Sequence, residues 1–460
     1  MTETANLLEL TPGTLQQSSF SKCGDGCKYD GIELTTTGTK TAYTARLPIT
    51  LNPGTTISGD GKATIQLVTK ADPTIWKPSI PVFSLSGENY LFERFTFDGL
   101  AGKQSIKWGK GYHNLLGGNK STNVTVRDLI IQNSLGDGGR FTDSKNIKFY
   151  NNKIYGIGHD GLYVDRCTDV EAYGNTIYTR INSALRSKGS KKVRFYDNYI
   201  SSTNKYTPRT GPGIQVENSK ANETTSDVQI YSNWIEGCQG PGIWAAGHTA
   251  TATDAAKQLI IRNNVIKACG QMPVLKSATE AAKLSKVAAI CLDGWTDFEI
   301  YDNTLDNNCN GIRLGTYITT SAGTGYTGTI KNNIITNTVA PNNKDAYAGY
   351  AIADTSGKFK VTCSGNDLWG NLKSIYGLDN KSGLSVNPGY ADAQYRLLTT
   401  SPCVFSGYQL GRYNNATPVE ENTPVEPNEP EDQLVDLYVT CSESDADTIV
   451  NNISNCTIYR

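Results

Sequence analysis

The chain has 460 residues, of which 43 are Lys or Arg and 44 are Asp or Glu, so its formal net charge is −1 at pH 7. This balance argues against nucleic acid or a charged membrane surface as a partner, and binding must be sought at local sites. No run of about 18 apolar residues predicts a membrane span, and the first residues lack the features of a secretory signal. If the protein is exported, we expect that a leader was removed or that export takes another route.

Residues 1–54 are predicted to form an N-terminal cap on a repeat array, because an uncovered end would present unpaired strand edges. Cys23 and Cys27 in this segment could close a small loop. A CxxxC pair without other ligands is weak evidence for zinc, so no metal and no cofactor is expected.

Residues 55–410 contain a repeated sequence motif, in which a few residues that favour β-strands are followed by asparagine. Early repeats are visible at 55–67, 83–99 and 123–134, and the motif then becomes regular. Its asparagines are Asn152, Asn175, Asn198, Asn233, Asn264, Asn303 and Asn333. The first two steps between them are equal, and the later steps are longer and vary, as they would if a connecting loop were free to grow. A repeat period of this order indicates a stacked array.

The residues before each asparagine alternate between apolar and polar, as in Val170 and Ala172, which predicts a strand. Two or three short strands per unit, with no helical stretch between them, exclude βαβ units. Leucine-rich repeats would show a leucine framework, and propeller blades would need four strands per unit. We therefore predict an all-β fold, a right-handed parallel β-helix of the pectate-lyase type. Asparagines at identical corners can hydrogen-bond along the stack, which explains their repetition without catalysis.

The end of the chain differs in composition. Residues 387–407 are interpreted as a closing segment, and residues 411–432, which are rich in Pro and Glu from 418 onward, are predicted to be an extended linker. Residues 433–460 form a tail, expected either to dock on the β-helix or to bind a partner such as a second copy of the chain or a carrier particle.

Alignment of the repeats identifies one face for chemistry. The equal steps of the asparagine ladder place Leu162 over Leu185, and the two GPGI motifs continue this column with Ile214 and Ile243. If these aliphatic residues point inward, their neighbours point outward. The outward residues are Tyr163, Arg186, Gln215 and Trp244, and two positions further Asp165, Lys188 and Glu217, with Arg140 on the preceding rung and Asp293 and Arg313 on later ones.

This surface could also be non-functional, with Asp165, Lys188 and Glu217 as solvated residues that form cross-strand ion pairs. The surroundings favour a site. His159 and Asp160, in the motif GIGHDG, precede the strand, with Asn182 one rung later and Asp137 one rung earlier at the same corner. Trp244 offers a ring face on which sugars stack, although a tryptophan buried between rungs would give the same pattern.

Two carboxylates are candidates for acid and base catalysis. Asp165 and Glu217 are two rungs apart, about 9 to 10 Å by strand spacing, and separations near this value suit an inverting glycosidase. Lys188 between them would keep both ionised, which makes Asp160 a rival acid. The predicted catalytic residues are Asp160, Asp165 and Glu217. The predicted substrate-binding residues are His159, Tyr163, Arg186, Lys188, Gln215, Trp244 and Arg140.

Several segments of the chain resemble the disaggregatase and disaggregatase-related proteins of methanogenic archaea. They are GIGHDGLYVDRCTDVEAYGNTIYTRINSALR (156–186), GPGIQVENS (211–219), GPGIW (240–244), GTGYTGTIKNNIITNT (323–338) and NPGYAD with SPC. The resemblance covers about residues 120–405. It implies a β-helix that disperses cell aggregates by cutting a chondroitin-like matrix polysaccharide. His159, Asp160, Arg186, Gln215 and Glu217 lie on similar segments without assigned roles, and Lys188 is not a feature of the family.

Three functions are therefore compared. The first is an endo-acting glycoside hydrolase on an extracellular, uronate-containing polysaccharide, with Arg186 and Arg140 as ligands of substrate carboxylates. The second is a polysaccharide lyase on the same surface, with Lys188 or Arg186 as the base. The third is a glycan-binding adhesin or virion spike, which the fold alone does not exclude.

Overall fold

The computed structural model describes residues 5–76, 80–104, 114–178, 182–202, 211–218, 225–247, 256–271, 287–315, 324–340, 347–405, 408–414, 416–420, 438–440 and 457–459. The chain coils into a parallel β-helix, in which each turn of the coil, here called a rung, gives one strand to each of three faces. Every strand of these faces pairs in parallel with the strands of the neighbouring rungs. The fold predicted from the repeat is therefore confirmed.

The three faces are named in the order in which the chain crosses them. Face 1 contains Ile49–Leu51, Gly139–Thr142, Leu162–Asp165, Leu185–Lys188, Ile214–Asn218, Ile243–Gly247, Ile290–Asp293, Ile312–Leu314, Tyr350–Asp354 and Lys373–Tyr376. Face 2 contains Leu7–Leu10, Gly31–Leu34, Thr56–Gly59, Lys145–Tyr150, Thr168–Tyr173, Lys191–Tyr196, Ser226–Tyr231, Ala256–Arg262, Trp295–Tyr301, Tyr326–Lys331, Phe359–Ser364 and Asn380–Lys381. Two long strands, Phe83–Glu93 and Leu116–Arg127, run from face 1 onto face 2.

Face 3 is the 12-stranded sheet. It contains Gly13–Leu15, Ala42–Ala45, Thr64–Leu67, Thr96–Asp98, Ile130–Gln132, Lys153–Tyr155, Thr176–Ile177, Tyr199–Ser201, Trp234–Glu236, Val265–Lys267, Thr304–Asp306 and Ile334–Thr336. The core lies between the faces and is built from the inward half of each alternating strand. Ile147, Val170, Val193 and Val228, for example, are register partners on successive rungs and are all buried.

The N-terminal segment that was predicted to cap the array contributes strands to it. Leu7–Leu10 pairs in parallel with Gly31–Leu34 on face 2, and Gly13–Leu15 pairs with Ala42–Ala45 on face 3. The short helix Gln17–Phe20 follows strand Gly13–Leu15 in the chain and precedes strand Gly31–Leu34, and its residue Phe20 is buried. A 3₁₀ turn, Ala101–Lys103, follows a later rung. Parallel pairing therefore starts inside the predicted cap, and Cys23 and Cys27 are free thiols.

The seven predicted asparagines occupy one buried corner between faces 2 and 3. Asn152 Nδ2 donates to Oδ1 of Asn175 at 3.0 Å and to the backbone oxygen of Val126 at 3.1 Å. The same bond to the next asparagine repeats along the stack and continues into Asn366. The prediction of a single corner is confirmed, and satisfying these buried polar groups stabilises the stack.

The residue before each of these asparagines explains the dipeptides at the corner. Asn151, Gly174, Asp197, Ser232, Asn263, Asp302 and Asn332 have φ between 52° and 62°. This left-handed conformation is tolerated best by Gly, Asn and Asp, because other side chains crowd the following carbonyl. The corner therefore selects a residue of this kind followed by Asn.

The closing segment lies on face 3. Tyr395 Oη donates to Asp306 Oδ2 at 2.8 Å, and Asn414 Nδ2 donates to Asp302 Oδ2 at 2.7 Å. Val404–Phe405 and Tyr408–Gln409 form a short antiparallel pair. In the tail, Tyr438–Thr440 pairs with Thr457–Tyr459. Of the predicted linker 411–432, residues 411–414 and 416–420 are described, and residues 421–432 lie outside the described residues. Among the described helices, none is long and apolar enough to cross a membrane.

Candidate functional site on face 1

The register predicted for face 1 is observed. Leu162 pairs with Leu185, and Ile214 and Ile243 follow on the next two rungs. Face 1 therefore has two outward columns. The first contains Arg140, Tyr163, Arg186, Gln215, Trp244, Cys291 and Arg313. The second, beside it, contains Thr142, Asp165, Lys188, Glu217, Ala246 and Asp293. Three adjacent rungs thus bring the predicted acidic and basic residues together.

Arg186 connects the acidic residues of the site. Its Nε and Nη2 atoms donate to Glu217 Oε1 at 3.0 and 2.5 Å, and its Nη1 atom lies 3.4 Å from Asp160 Oδ2. The Arg186 side chain is only 18% exposed. Burial alone would lower the pKa of Arg186, but the charges of Asp160 and Glu217 raise it above its usual value. Arg186 is therefore held first by the protein's own carboxylates, and not free as a clamp for a substrate carboxylate as the sequence suggested.

Glu217 is also oriented by its neighbours on the sheet. Gln215 Nε2 donates to Glu217 Oε2 at 2.9 Å, and Ser183 Oγ donates to Gln215 Oε1 at 2.7 Å. Ser183 therefore fixes the amide of Gln215 so that its NH₂ group faces the carboxylate. Both oxygens of Glu217 accept hydrogen bonds, which points this carboxylate towards Arg186.

The cross-strand ion pairs of the alternative interpretation are not observed. Among the described residues Lys188 forms no ion pair, while Asp165 Oδ2 accepts from Arg166 Nη1 at 3.0 Å and Glu217 pairs with Arg186. The other oxygen of Asp165, Oδ1, is buried without a hydrogen-bond partner in that part of the chain. The second outward column of face 1 therefore carries the ammonium group of Lys188, which forms no ion pair among the described residues, next to the carboxylate of Asp165, which has one unused acceptor oxygen.

His159 is the solvent-facing member of a second cluster. Its Nδ1 atom lies 2.7 Å from Asp137 Oδ1 and 3.1 Å from Asp160 Oδ2, whereas Nε2 lies 3.4 Å from Asn182 Nδ2. The His159 side chain is 42% exposed, while Asp137 and Asp160 are buried. With Nδ1 directed at two carboxylates, Nε2 is the nitrogen left for proton exchange with a ligand.

The position of Asp160 corrects the sequence interpretation, which placed it facing a bound sugar. Asp160 is 0% exposed, and its Oδ1 accepts the backbone N–H of Ser183 at 2.9 Å. Asp137 Oδ1 accepts the N–H of Asp160 at 3.0 Å, and Asn114 Oδ1 accepts that of Asp137 at 2.8 Å. These side chains form a second ladder, at the corner before face 1, and Asp160 Oδ2 contacts His159 and Arg186.

The electrostatics of the cluster follow from its burial. Burial raises the pKa of Asp160 above its ordinary value; the charges of His159 and Arg186 oppose this effect and that of Asp137 adds to it. Burial would lower the pKa of His159, but the hydrogen bond to Asp137 and the charges of Asp160 and Asp137 outweigh it and raise the pKa. The imidazole is therefore easier to protonate than an exposed histidine.

Tyr163 lies between two guanidinium groups. The Cζ atoms of Arg140 and Arg186 lie 4.7 and 4.6 Å from the centre of its ring. Burial raises the pKa of Tyr163, although Arg186 acts against it, so the phenol is protonated at neutral pH. Arg140 Nη1 also lies 3.6 Å from Asp137 Oδ2, which links this group to the histidine cluster.

Trp244 is placed differently from its predicted role as a sugar platform. Its side chain packs with Ala246, Ala288 and Cys291 in a small apolar cluster outside the main core, and only 7% of the residue is exposed. The buried alternative applies because neighbouring rungs carry small residues beside the indole. Asp293 and Arg313 follow on face 1, both buried.

Asp137, His159 and Asp160 also offer metal-ligand atoms within 4.8 Å of one another. The residues do not fit a cation well. Arg186 lies 3.4 Å from Asp160 and Arg140 lies 3.6 Å from Asp137, so guanidinium groups already balance both carboxylates.

Sequence reasoning missed two residues of the site. Asp137 was noted only as a neighbour, although it precedes Asp160 by the same step that separates the first asparagines of the ladder. Ser183 carried no signal, because its role depends on the side-chain orientation of Gln215.

The matches to known proteins agree with this architecture. Residues 114–279 match the model described as right handed beta helix region, and residues 225–424 match the model described as disaggregatase related. No curated protein is similar to the chain in sequence.

Among solved structures, the A-module of the Azotobacter vinelandii mannuronan C-5 epimerase AlgE4 matches with a TM-score of 0.54 and 15% identity, over 81% of this chain and 99% of that module. The A-module of AlgE6 from the same organism has a TM-score of 0.53 and 15% identity, over 78% of this chain and 91% of that one. A polygalacturonase from Erwinia carotovora has a TM-score of 0.45 and 13% identity, over 83% and 97%.

At these identities the likenesses to the epimerase modules show the fold alone, which is a pectate-lyase-like solenoid. His159, Arg186 and Glu217 lie in the general β-helix match, before the disaggregatase-related segment begins. The resemblance to the disaggregatase-related β-helix family is confirmed, and residues 225–424 are the part of the chain that matches its model.

Proposed function

We propose that the protein is an endo-acting glycoside hydrolase that cuts an extracellular, uronate-containing polysaccharide. The observation that carries this proposal is the line of contacts from His159 through Asp160 and Arg186 to Glu217 on face 1. This line crosses rungs about 4.8 Å apart, a direction that suits an extended polymer lying along the helix axis. The fold shared with mannuronan C-5 epimerase modules and the match to the disaggregatase-related model add support for a polysaccharide.

Hydrolysis needs one group that gives a proton and one that takes a proton. In the proposed reaction the protonated imidazole of His159 donates from Nε2 to the glycosidic oxygen while the bond to the anomeric carbon breaks. A water molecule attacks that carbon and gives its proton to Glu217. Asp165, with its unused Oδ1 atom, is the alternative base.

The remaining groups bind and position. Asp137 and Asp160 hold His159 in a fixed orientation and favour its protonated form. The free ammonium of Lys188 is assigned to a uronate carboxylate. The positive charge of Lys188 would fix which sugar lies beside the acid.

The test is incubation with a chondroitin-like uronate polysaccharide, followed by measurement of product size and reducing ends. Turnover should fall at least about a hundredfold in Glu217→Gln if Glu217 is the base, or in Asp165→Asn if Asp165 is. Glu299→Gln, an exposed change on face 2, serves as the control and should keep full turnover. Full activity in both site variants would place the chemistry elsewhere, and no cleavage of any uronate polymer would contradict the proposal.

A lyase is the second candidate, favoured by the partly exposed imidazole of His159, whose Nε2 atom has only the 3.4 Å contact to Asn182 Nδ2 among the described residues. In its neutral form this nitrogen could remove the proton beside the uronate carboxyl group. The electron pair of the broken C–H bond forms a carbon–carbon double bond. The bond from the next carbon to the glycosidic oxygen breaks, its electron pair stays on that oxygen, and protonated Tyr163 gives the oxygen a proton. The double bond absorbs ultraviolet light, whereas hydrolysis produces no such absorbance. This single measurement separates the two reactions.

A further inference from the structure

Face 2 carries a regular column of lysines that the site on face 1 does not use. Register partners on six successive rungs alternate between lysine and a hydroxyl residue, in the order Lys145, Thr168, Lys191, Ser226, Lys257 and Thr296. We call Lys145, Lys191 and Lys257 the lysine column. All three are exposed. They are two rungs apart, which is about 10 Å at the usual strand spacing.

The lysine column is not neutralised by its surroundings. Among the described residues none of the three forms an ion pair, and two acids on the strands beside them are paired with other residues. Asp169 lies 3.6 Å from Lys192, and Asp227 lies 2.6 Å from Arg194. The five strands of face 2 between residues 145 and 262 carry seven Lys or Arg and three Asp or Glu, whereas the whole chain has a net charge of −1. This face therefore has a local positive potential.

At the other end of the same strands, four tyrosine rings form a flat and regular stack. Tyr150, Tyr173, Tyr196 and Tyr231 stack with ring centres 4.7 to 4.9 Å apart and planes within 8° of each other. Arg262 covers the last ring at 4.4 Å. The closing segment bonds Asp306 of face 3 through Tyr395, and Asn414 bonds Asp302 at the corner between faces 2 and 3. Among the described residues the three lysines of the column are exposed. In the part of the chain that the structure describes, the face thus presents a regular surface along the helix axis.

We propose that the lysine column of face 2 is a second binding surface, separate from face 1, for a linear anionic polysaccharide. A sugar in an extended chain advances by about one rung, so each lysine can meet a carboxylate while Thr168 and Ser226 hydrogen-bond the sugars between them. Charge complementarity selects the partner, since three unpaired ammonium groups in a line favour a polyanion over a neutral glycan. Such a surface would hold the protein on its polymer, whether or not face 1 is catalytic.

The test compares two triple variants of the full chain. Lys145→Gln, Lys191→Gln and Lys257→Gln remove the column, while Lys22→Gln, Lys40→Gln and Lys62→Gln remove the same charge from exposed sites on early rungs. Binding to immobilised alginate, to neutral dextran and to double-stranded DNA is measured at low and moderate salt. The column variant should bind alginate about tenfold more weakly or worse, as expected for three exposed charge contacts. The control variant should match the unmodified chain, and dextran should not bind.

The outcomes separate this surface from face 1. Turnover of short soluble uronate oligosaccharides should be unchanged in the column variant, so a failure of the proposed hydrolase would leave the binding result intact. Equal alginate binding by both triple variants would overturn the proposal. Binding to DNA as tight as to alginate, lost in the same variant, would also overturn it, because the surface would then be a general polyanion site.

Discussion

Arg186 donates twice to one oxygen of Glu217, the residue diagonally across from it on the next rung of face 1, at 3.0 and 2.5 Å. The same guanidinium also faces the buried carboxylate of Asp160. One cation thus compensates two buried anions, and the site is assembled around it. Loss of this group would leave the buried carboxylate of Glu217 without an ion-pair partner among the described residues, and Asp160 with His159 alone.

We expect Arg186→Met to destabilise the protein by about 3 to 5 kcal/mol, the usual cost of removing one partner from a buried ion pair. The measurement is the free energy of unfolding in denaturant. Lys188→Met is the matched control on the neighbouring column, since Lys188 forms no ion pair among the described residues, and it should change stability by less than about 0.5 kcal/mol. Equal effects of the two changes would contradict the arrangement around Arg186.

The second prediction concerns the protonation of His159. Because Asp137 and Asp160 raise its folded pKa, His159 contributes stability that is fully present below its unfolded pKa, about 6.5, and is lost as pH rises through the folded value. Asp137→Asn should lower that folded pKa and shrink this contribution. The chain has three histidines, so the imidazole resonances can be followed by NMR titration. Asp143→Asn, an exposed change, should leave the His159 titration unchanged.

For a hydrolase that uses His159 as its acid, the same variant should also move the alkaline limb of the turnover profile to lower pH. For a lyase that uses neutral His159 as its base, the acidic limb of the profile should move to lower pH instead, and the alkaline limb should stay in place. An unchanged NMR titration in Asp137→Asn would contradict the positioning role independently of either reaction.

The fold and register could be predicted because both depend on local repetition. The corner that joins faces 2 and 3 needs a left-handed residue followed by Asn, and Asn151 and Asn152 show this requirement in the sequence itself. Side-chain direction follows from the period of two, which placed Asp165 and Glu217 in one column. Such rules act within one strand or one rung step.

Pairings between side chains could not be predicted in the same way. Arg186 can reach either column, and its choice of Asp160 and Glu217 over a ligand depends on rotamers that the sequence does not specify. The burial of Trp244 depends on Ala288. Ala288 lies on the next rung, just before the strand Ile290–Asp293, and the repeat does not align it with Trp244. The catalytic assignments of Asp160, Asp165 and Glu217 stay predictions.

The third prediction tests the asparagine ladder. Asn198→Ala removes a buried amide that bonds Ala172, Tyr196 and Asn233, and it leaves the N–H of Asn175 without its acceptor. The loss should cost about 1 to 3 kcal/mol of unfolding free energy for each buried group left unsatisfied. Gln229→Ala, on an outward column of face 2, is the control and should cost less than about 0.5 kcal/mol. A neutral Asn198→Ala would show that the ladder is a consequence of the fold and does not stabilise it.

The last prediction concerns the end of the chain. The chain is attached to the closing segment as far as Val419, which exchanges backbone hydrogen bonds with Leu397 and Thr399 at 2.8 and 2.9 Å. We therefore expect deletion of residues 421–460 to leave the melting temperature unchanged, because none of the described contacts of the β-helix involves that part.

Deletion of residues 412–460 should be different. It removes the amide of Asn414 from Asp302, a carboxyl whose pKa burial raises to about 6, and removes the backbone oxygen of Arg412 from Asn263. Each polar group left without its partner should cost about 1 to 3 kcal/mol. Thermal melting of the two truncations, measured side by side, gives the comparison. If the shorter deletion also unfolds the protein, then residues 421–460 complete the end of the β-helix, and the linker prediction for 411–432 is wrong.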